Sequence, residues 1–187
     1  MDSPTMKSAS YSRNSSSKPA HRAEETSEIR ARARLDAQQV LESSWDSAVV
    51  PVDPVRIARA FGVEVFHADL REDLSGLFLP AREEHGPEIY IDTDESPIRQ
   101  RFTTAHELGH FVEDGNDLQI DRRRDDLARK GRDPNEIYAN EFAAALLMPE
   151  YAVKRLLAGG MPAERMHEVF KVSREAMGYR LRNLGLS

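Results

Sequence analysis

The chain has 187 residues, a formal net charge of -6 and a pI near 5.6, which suits one domain with a real core and leaves no room for a second large one. The acidic balance argues against broad electrostatic binding to nucleic acid or to an anionic membrane. There is no cysteine, which excludes disulfides and thiolate metal sites, so any metal must rest on His, Asp and Glu.

Residues 1–22 hold seven serines within the first twenty, several basic residues and almost no bulky aliphatics. That composition cannot offset the entropy of ordering, and it predicts a disordered tail ahead of a domain over 23–187. No apolar run of signal-peptide type occurs there, and about 18 consecutive apolar residues occur nowhere, so a soluble cytoplasmic protein is expected. Met6 is an alternative start to Met1.

From Ser27, the spacing of Ile29, Ala33, Ala37, Val40 and Leu41 predicts an amphipathic helix ending before Trp45 and packed across the outside of the domain. Asp53-Pro54 reads as the cap of a short helix with Ile57, Ala58 and Phe61 on its apolar side and Gly62 as its stop. Residues 63–66, 75–79 and 88–92 are short β-branched or aromatic runs separated by charged turns, expected as a small antiparallel sheet. The 88–92 strand is expected at its edge, where an extended peptide could pair with it.

Asp94, Glu95 and Ser96 then precede Pro97, a helix start, and Ile98, Phe102, Ala105, Gly109 and Val112 recur at helical spacing. Inside this helix lies H-E-x-x-H at His106, Glu107 and His110. Residues four apart sit about 40° apart around the axis, so both imidazoles can grip one metal ion, and Glu107 can reach a water on it. Bound zinc lowers the pKa of its water towards ~7 while a neighbouring carboxylate takes the proton, which is the chemistry of peptide-bond hydrolysis.

A catalytic zinc site normally has a third protein ligand. After a stretch over 113–135 dense in both charge signs, read as a solvated loop or short helix, Asp133-Pro134 starts another helix. Its inward face is expected to carry Glu136, Ala139, Asn140, Ala143, Leu146 and Leu147, before Met148-Pro149 ends it. Glu136 sits in the first turn of that face, though it could equally pair with Asp133 in a capping box. Glu141, about 140° around the axis, is the other carboxylate nearby, and spacing leaves both open. Beyond Gly159-Gly160, residues 151–187 carry seven Lys or Arg against three Glu and read as helix, turn and helix. Either Arg174, Tyr179, Arg180 and Arg182 face DNA, or Phe170, Val172, Ala176, Met177, Leu181 and Leu184 close the core.

The blocks Arg99-Gln-Arg-Phe-Thr-Thr-Ala-His106-Glu107-Leu-Gly-His110 and Glu136-Ile-Tyr-Ala-Asn-Glu-Phe-Ala-Ala-Ala-Leu-Leu-Met-Pro149, with Ser75-Gly76 and Ile89-Tyr90-Ile91 upstream, resemble the ImmA/IrrE family of zinc metallopeptidases. The resemblance spans residues ~30 to 187. It implies a compact zincin-like α+β domain with the sheet packed on the metal helix, one zinc per chain held by His106, His110 and Glu136, and Glu107 as general base. It further implies a cytoplasmic endopeptidase that cleaves a helix-turn-helix repressor and so releases mobile-element or stress genes. Family members often have another histidine just after the metal helix. Here Phe111-Val112-Glu113-Asp114 follows, which leaves the implied ligand set intact. A reading from another class is a metal-dependent transcription regulator or binding module without proteolytic activity.

Overall fold

In the computed structural model of this chain, residues 17–70, 74–114, 119–122 and 133–186 are described, 17–21 and 119–122 by their backbone alone. Helix α1 (Ser17–Ser44) starts upstream of the expected Ser27 and ends, as expected, before Trp45. Residues 17–22 of the expected disordered tail are therefore helical, while 1–16 lie outside the described residues. The buried stripe of α1 is the one its spacing implies: Ala33, Ala37, Val40 and Leu41, with Ile29 half-buried beside them. This stripe packs against a later helix, α4 (Pro134–Leu147).

Asp53 caps α2 (Pro54–Ala60), its carboxylate accepting from the backbone N–H groups of Val55 at 3.0 Å and Arg56 at 3.3 Å. Such a cap satisfies donors that the first helical turn otherwise leaves open. Phe61, expected on the apolar side of α2, is 38% exposed, and Val63 enters the core instead.

The four strands β1 (Glu64–Ala68), β2 (Leu74–Leu79), β3 (Glu88–Asp92) and β4 (Gln119–Arg122) form one sheet in the order β1-β3-β2-β4. The β2–β3 and β2–β4 pairs are antiparallel, but β1 runs parallel to β3, with Val65 opposite Ile89. The sheet is thus mixed, and β3 is an inner strand where an edge was expected. With partners on both sides it has no free ladder to offer a peptide; among the described residues the edges are β1 and β4. Strand β4 was not expected at all, since it lies in the charged 113–135 stretch. The rest of that stretch, from 115 to 118 and from 123 to 132, lies outside the described residues.

Val65, Phe78, Ile89 and Ile91 point into the core from one face of the sheet, and Phe66 stacks on Tyr90 at 5.2 Å on the other. Against β2 and β3 packs α3 (Pro97–Asp114), and α4 lies between α3 and α1. Being covered on both sides, α4 buries Tyr138, Ala139, Phe142, Ala143, Leu146 and Leu147, whereas Asn140, expected to face inward, is exposed. Tyr138 donates to Asp36 of α1 at 2.6 Å, and burial together with that carboxylate pushes its phenol pKa well up.

The chain closes with α5 (Glu150–Ala158), a 3-10 turn at Ala163–Arg165, α6 (Met166–Phe170) and α7 (Arg174–Asn183). Lys171, at φ 51°, turns the chain between α6 and α7, and the Ser173 hydroxyl caps α7 by accepting from the Ala176 N–H at 3.1 Å. The helix-turn-helix outline is present. Its apolar side, Phe170, Val172, Met177 and Leu181, belongs to the single core of the domain. Arg180, a DNA contact in one of the two readings of these helices, is 3% exposed. Its Nε donates to the Met148 carbonyl at 3.0 Å, and its Nη1 lies 3.8 Å from Glu141. Burial lowers its pKa while Glu141 and Glu150 oppose that fall, so Arg180 pins α7 to α4 and does not reach outward. Among the described residues, no helix is long and apolar enough to cross a membrane.

Removing one partner of a buried ion pair leaves an uncompensated charge and costs about 3–5 kcal/mol. Arg180→Ala is therefore expected to lower stability by about 3 kcal/mol in urea unfolding, since Arg34 still neutralises Glu141. Exposed Arg182→Ala should stay within about 0.5 kcal/mol of the parent.

Candidate metal centre

Helix α3 is fixed before it carries any chemistry. Ser96 accepts from the Arg99 N–H at 3.3 Å through its hydroxyl and from the Gln100 N–H at 2.8 Å through its carbonyl. The Gln100 side chain donates to the Asp92 carbonyl at the end of β3, 3.0 Å away. Arg101, half-buried, donates to the Val52 carbonyl at 2.7 Å and reaches the carbonyls of Phe170 and Lys171 at 3.5 and 3.4 Å. One guanidinium thus ties α3 to the segment before α2 and to the α6–α7 turn. Every residue from Thr103 to His110 is buried as a result.

Within that buried run, His106 and His110 stand one turn apart with their Nε2 atoms 3.1 Å from each other. Helix α4 brings the third group. Asp133 caps it by accepting from the Asn135 N–H at 3.0 Å, which leaves Glu136 in the first turn. The Glu136 carboxylate faces both imidazoles, Oε2 lying 3.7 Å from His106 Nε2 and Oε1 3.6 Å from His110 Nε2. The helices can cross this closely because position 109 is glycine. A Cβ there would sit 3.1 Å from Ala139 Cα and 3.2 Å from Phe142 Cδ1.

These separations can be tested against a metal. Donors each about 2.0–2.1 Å from a tetrahedral ion lie about 3.3 Å from one another. The imidazole nitrogens stand 3.1 Å apart, and each has a different Glu136 oxygen at 3.6–3.7 Å, so the carboxylate faces the space between them at close to the spacing an ion needs. Two imidazole nitrogens with one carboxylate oxygen also form a donor set suited to zinc with a coordination position left open. Among the described residues, His106, His110 and Glu136 are the one group whose donor atoms converge in this way, all within 4.8 Å. Glu141, which spacing had left open as third ligand, is held elsewhere, 3.0 Å from Arg34 and 3.8 Å from Arg180.

Glu107 follows His106 directly and is fully buried on the side of α3 that meets β2. A Cβ on Gly76 of β2 would lie 2.4 Å from the Thr103 methyl and 2.8 Å from Glu107 Oε1, so the strand backbone itself confines this carboxylate. A groove of about 720 Å³ opens from the three-donor group, with His106 and Glu136 in its wall. It continues past Phe102 and Ile98 to Ala176 and Tyr179 of α7. Ile98, one of the residues that recur at helical spacing along α3, is 44% exposed at this groove. Sequence reasoning missed the groove although a signal was available. Ile98, Phe102, His106 and His110 are each four apart, so a ridge of apolar side chains runs up the helix from the histidines.

Gly76→Ala must push its methyl into a β-branched helix residue and a buried carboxylate. The expected loss is about 1–3 kcal/mol, as for other overpacked sites. Adding Thr103→Ser removes the methyl met first and should recover part of the loss, read as a coupling in a double-mutant cycle.

Comparison with known proteins relates the chain to metalloproteases. A stretch of 80 residues is 36% identical to the radiation response metalloprotease IrrE of Deinococcus radiodurans, covering 41% of this chain and 24% of that protein. The chain therefore corresponds to about a quarter of that relative's length. The profile of the Peptidase_M78 family, described as the IrrE N-terminal-like domain, matches residues 58–182, a span that contains the sheet, both helices of the three-donor group and the α6–α7 pair. The chain belongs to the Peptidase_M78 family of IrrE N-terminal-like domains.

Proposed function

We propose that this chain is a zinc-dependent endopeptidase of the cytoplasm, and that its substrate is a helix-turn-helix repressor or antitoxin-like regulator whose cleavage releases mobile-element or stress genes. The observation that carries the hydrolytic part is the convergence of His106, His110 and Glu136 beside buried Glu107, at the head of an open groove. Family membership and the metalloprotease named among its relatives support the same reading.

Zinc, when bound, would polarise the scissile carbonyl and make an attacking water more acidic. The chain's own residues then have separable roles. The Nε2 atoms of His106 and His110 and the carboxylate of Glu136 would hold the ion. Glu107 accepts a proton from the attacking water and returns it to the departing amine nitrogen. Tight confinement between α3 and Gly76 limits its rotamers, which favours proton transfer in a fixed geometry. Strand β4 is the terminal strand next to β2, so it, and not the inner β3, is where an extended substrate could add by backbone pairing.

The test is incubation of the purified, zinc-loaded chain with a candidate repressor, with products read by mass spectrometry. Glu107→Gln should keep its fold and its zinc, and cleavage should drop by about 10² to 10⁴, the usual contribution of a general base. A Glu107→Gln protein that cleaves at the parental rate would refute the peptidase reading.

A further inference from the structure

The groove that opens from the three-donor group is walled, among the described residues, by helices and their caps alone. Arg30 of α1, the face of α3 from Ile98 to His106, the outward side of α4 and α7 with its leading turn line it. No strand residue takes part. A peptide lying there finds no ladder of backbone donors and acceptors, because helix backbones satisfy their own. Recognition along this side must come from side chains.

Those side chains are apolar where the groove leaves the histidines. Phe102 and Ile98 rise one and two turns from His106 on the same face of α3, and Ile137 stands next to Glu136 on α4. Tyr179 and Ala176 of α7 close the far side. Ile98 and Tyr179 are large and exposed, at 44% and 55%. Charged residues also line the groove: Arg180 and Glu141 lie 3.8 Å from each other, the Arg99 guanidinium lies over the Phe102 ring, and Glu175 stands in the first turn of α7.

We infer that this groove is a specificity subsite for a bulky aliphatic or aromatic side chain close to the scissile bond, and that Ile98 and Tyr179 determine that specificity. The inference rests on the metallopeptidase reading above and adds a substrate class to it: polypeptide segments with a large apolar residue beside the cut, in preference to acidic ones. It also assigns the C-terminal helix pair a task at the active site, since α7 supplies one wall. Apolar exposure that no described residue covers is usual for a ligand groove and unusual for a bare surface. Continuity with the three-donor group fixes which ligand it is, because any chain whose carbonyl sits at His106 and Glu136 must send its neighbouring residues along one of two directions, and this is one of them.

The experiment uses the zinc-loaded full chain and hydroxamates, which chelate zinc without needing turnover. Acetohydroxamate reads the metal centre alone. Two further series place one side chain on either side of the chelating group, benzyloxycarbonyl-amino-acid hydroxamates and 2-substituted succinyl hydroxamates, each with an isobutyl or a carboxymethyl substituent. In one series the isobutyl compound should bind about 10- to 100-fold more tightly than the carboxymethyl compound, the range expected for burying one aliphatic side chain. That ratio should fall towards one in Ile98→Asp and in Tyr179→Asp. Both positions are exposed, so the fold should survive. It should persist in Phe66→Ser, on the opposite face of the sheet. If acetohydroxamate binds but neither series discriminates, or if the preference survives both Asp variants, the subsite is refuted and the metal centre stands. If acetohydroxamate does not bind, or binds His106→Ala equally well, the metal centre itself is refuted and the subsite falls with it.

Discussion

The crossing of α3 and α4 at Gly109 is the contact on which the candidate site depends. A Cβ at that position would lie 3.1 Å from Ala139 Cα and 3.2 Å from Phe142 Cδ1, so any larger residue would push the two helices apart by a few tenths of an ångström. Glu136 lies one turn before Ala139, and His106 and His110 flank Gly109 on its own helix. The same short interaxial distance therefore sets how closely Glu136 faces the two imidazoles, whose own separation is set within α3. A helix in this position must also be rigid. The inputs are Asp133 at its start, α1 along its outer side through Ala33 and Ala37, and the Tyr138–Asp36 hydrogen bond.

Buried polar groups in this fold act as fasteners between distant elements. Arg101 joins α3 to the residues before α2 and to the α6–α7 turn, while Arg180 joins α7 to the end of α4. Each satisfies backbone carbonyls that no local partner reaches, including the carbonyl of Met148 just past α4. Placing α7 by such a tie has a consequence for chemistry, because the same helix forms one wall of the groove that begins at His106. The polar pins and the apolar groove are two sides of one helix.

Much of this was legible in the chain. The helix bearing His106, Glu107 and His110, its start at Pro97, the helix after Asp133 and the stripe of α1 all follow from local periodicity, which the packing respected. What was not legible depended on partners remote in sequence. Alternation in β3 shows which residues face inward but says nothing of neighbours, so its parallel pairing with β1 and its inner place were hidden. Strand β4 has one aliphatic residue, Ile120, within a charged stretch, too little pattern to register. Glu136 and Glu141 differ by a rotation about one helix, and only the positions of Arg34 and Arg180 show that Glu141 is already engaged. Arg180 stood among the outward-facing cations in one of the two readings because its type is usually exposed. The helical spacing of Ile98 could not show that it stands at the groove, which depends on where α4 and α7 lie.

The measurement that bears most directly on the central claim, that one ion is held by His106, His110 and Glu136, is zinc K-edge X-ray absorption on the zinc-loaded chain. The account predicts a light-atom shell at about 2.0–2.1 Å with the outer-shell scattering of two imidazoles. It also predicts one imidazole fewer in His110→Ala, and an altered first shell in Glu136→Ala but not in Glu141→Ala. A spectrum with a single imidazole or none, or one unchanged by Glu136→Ala, would contradict it.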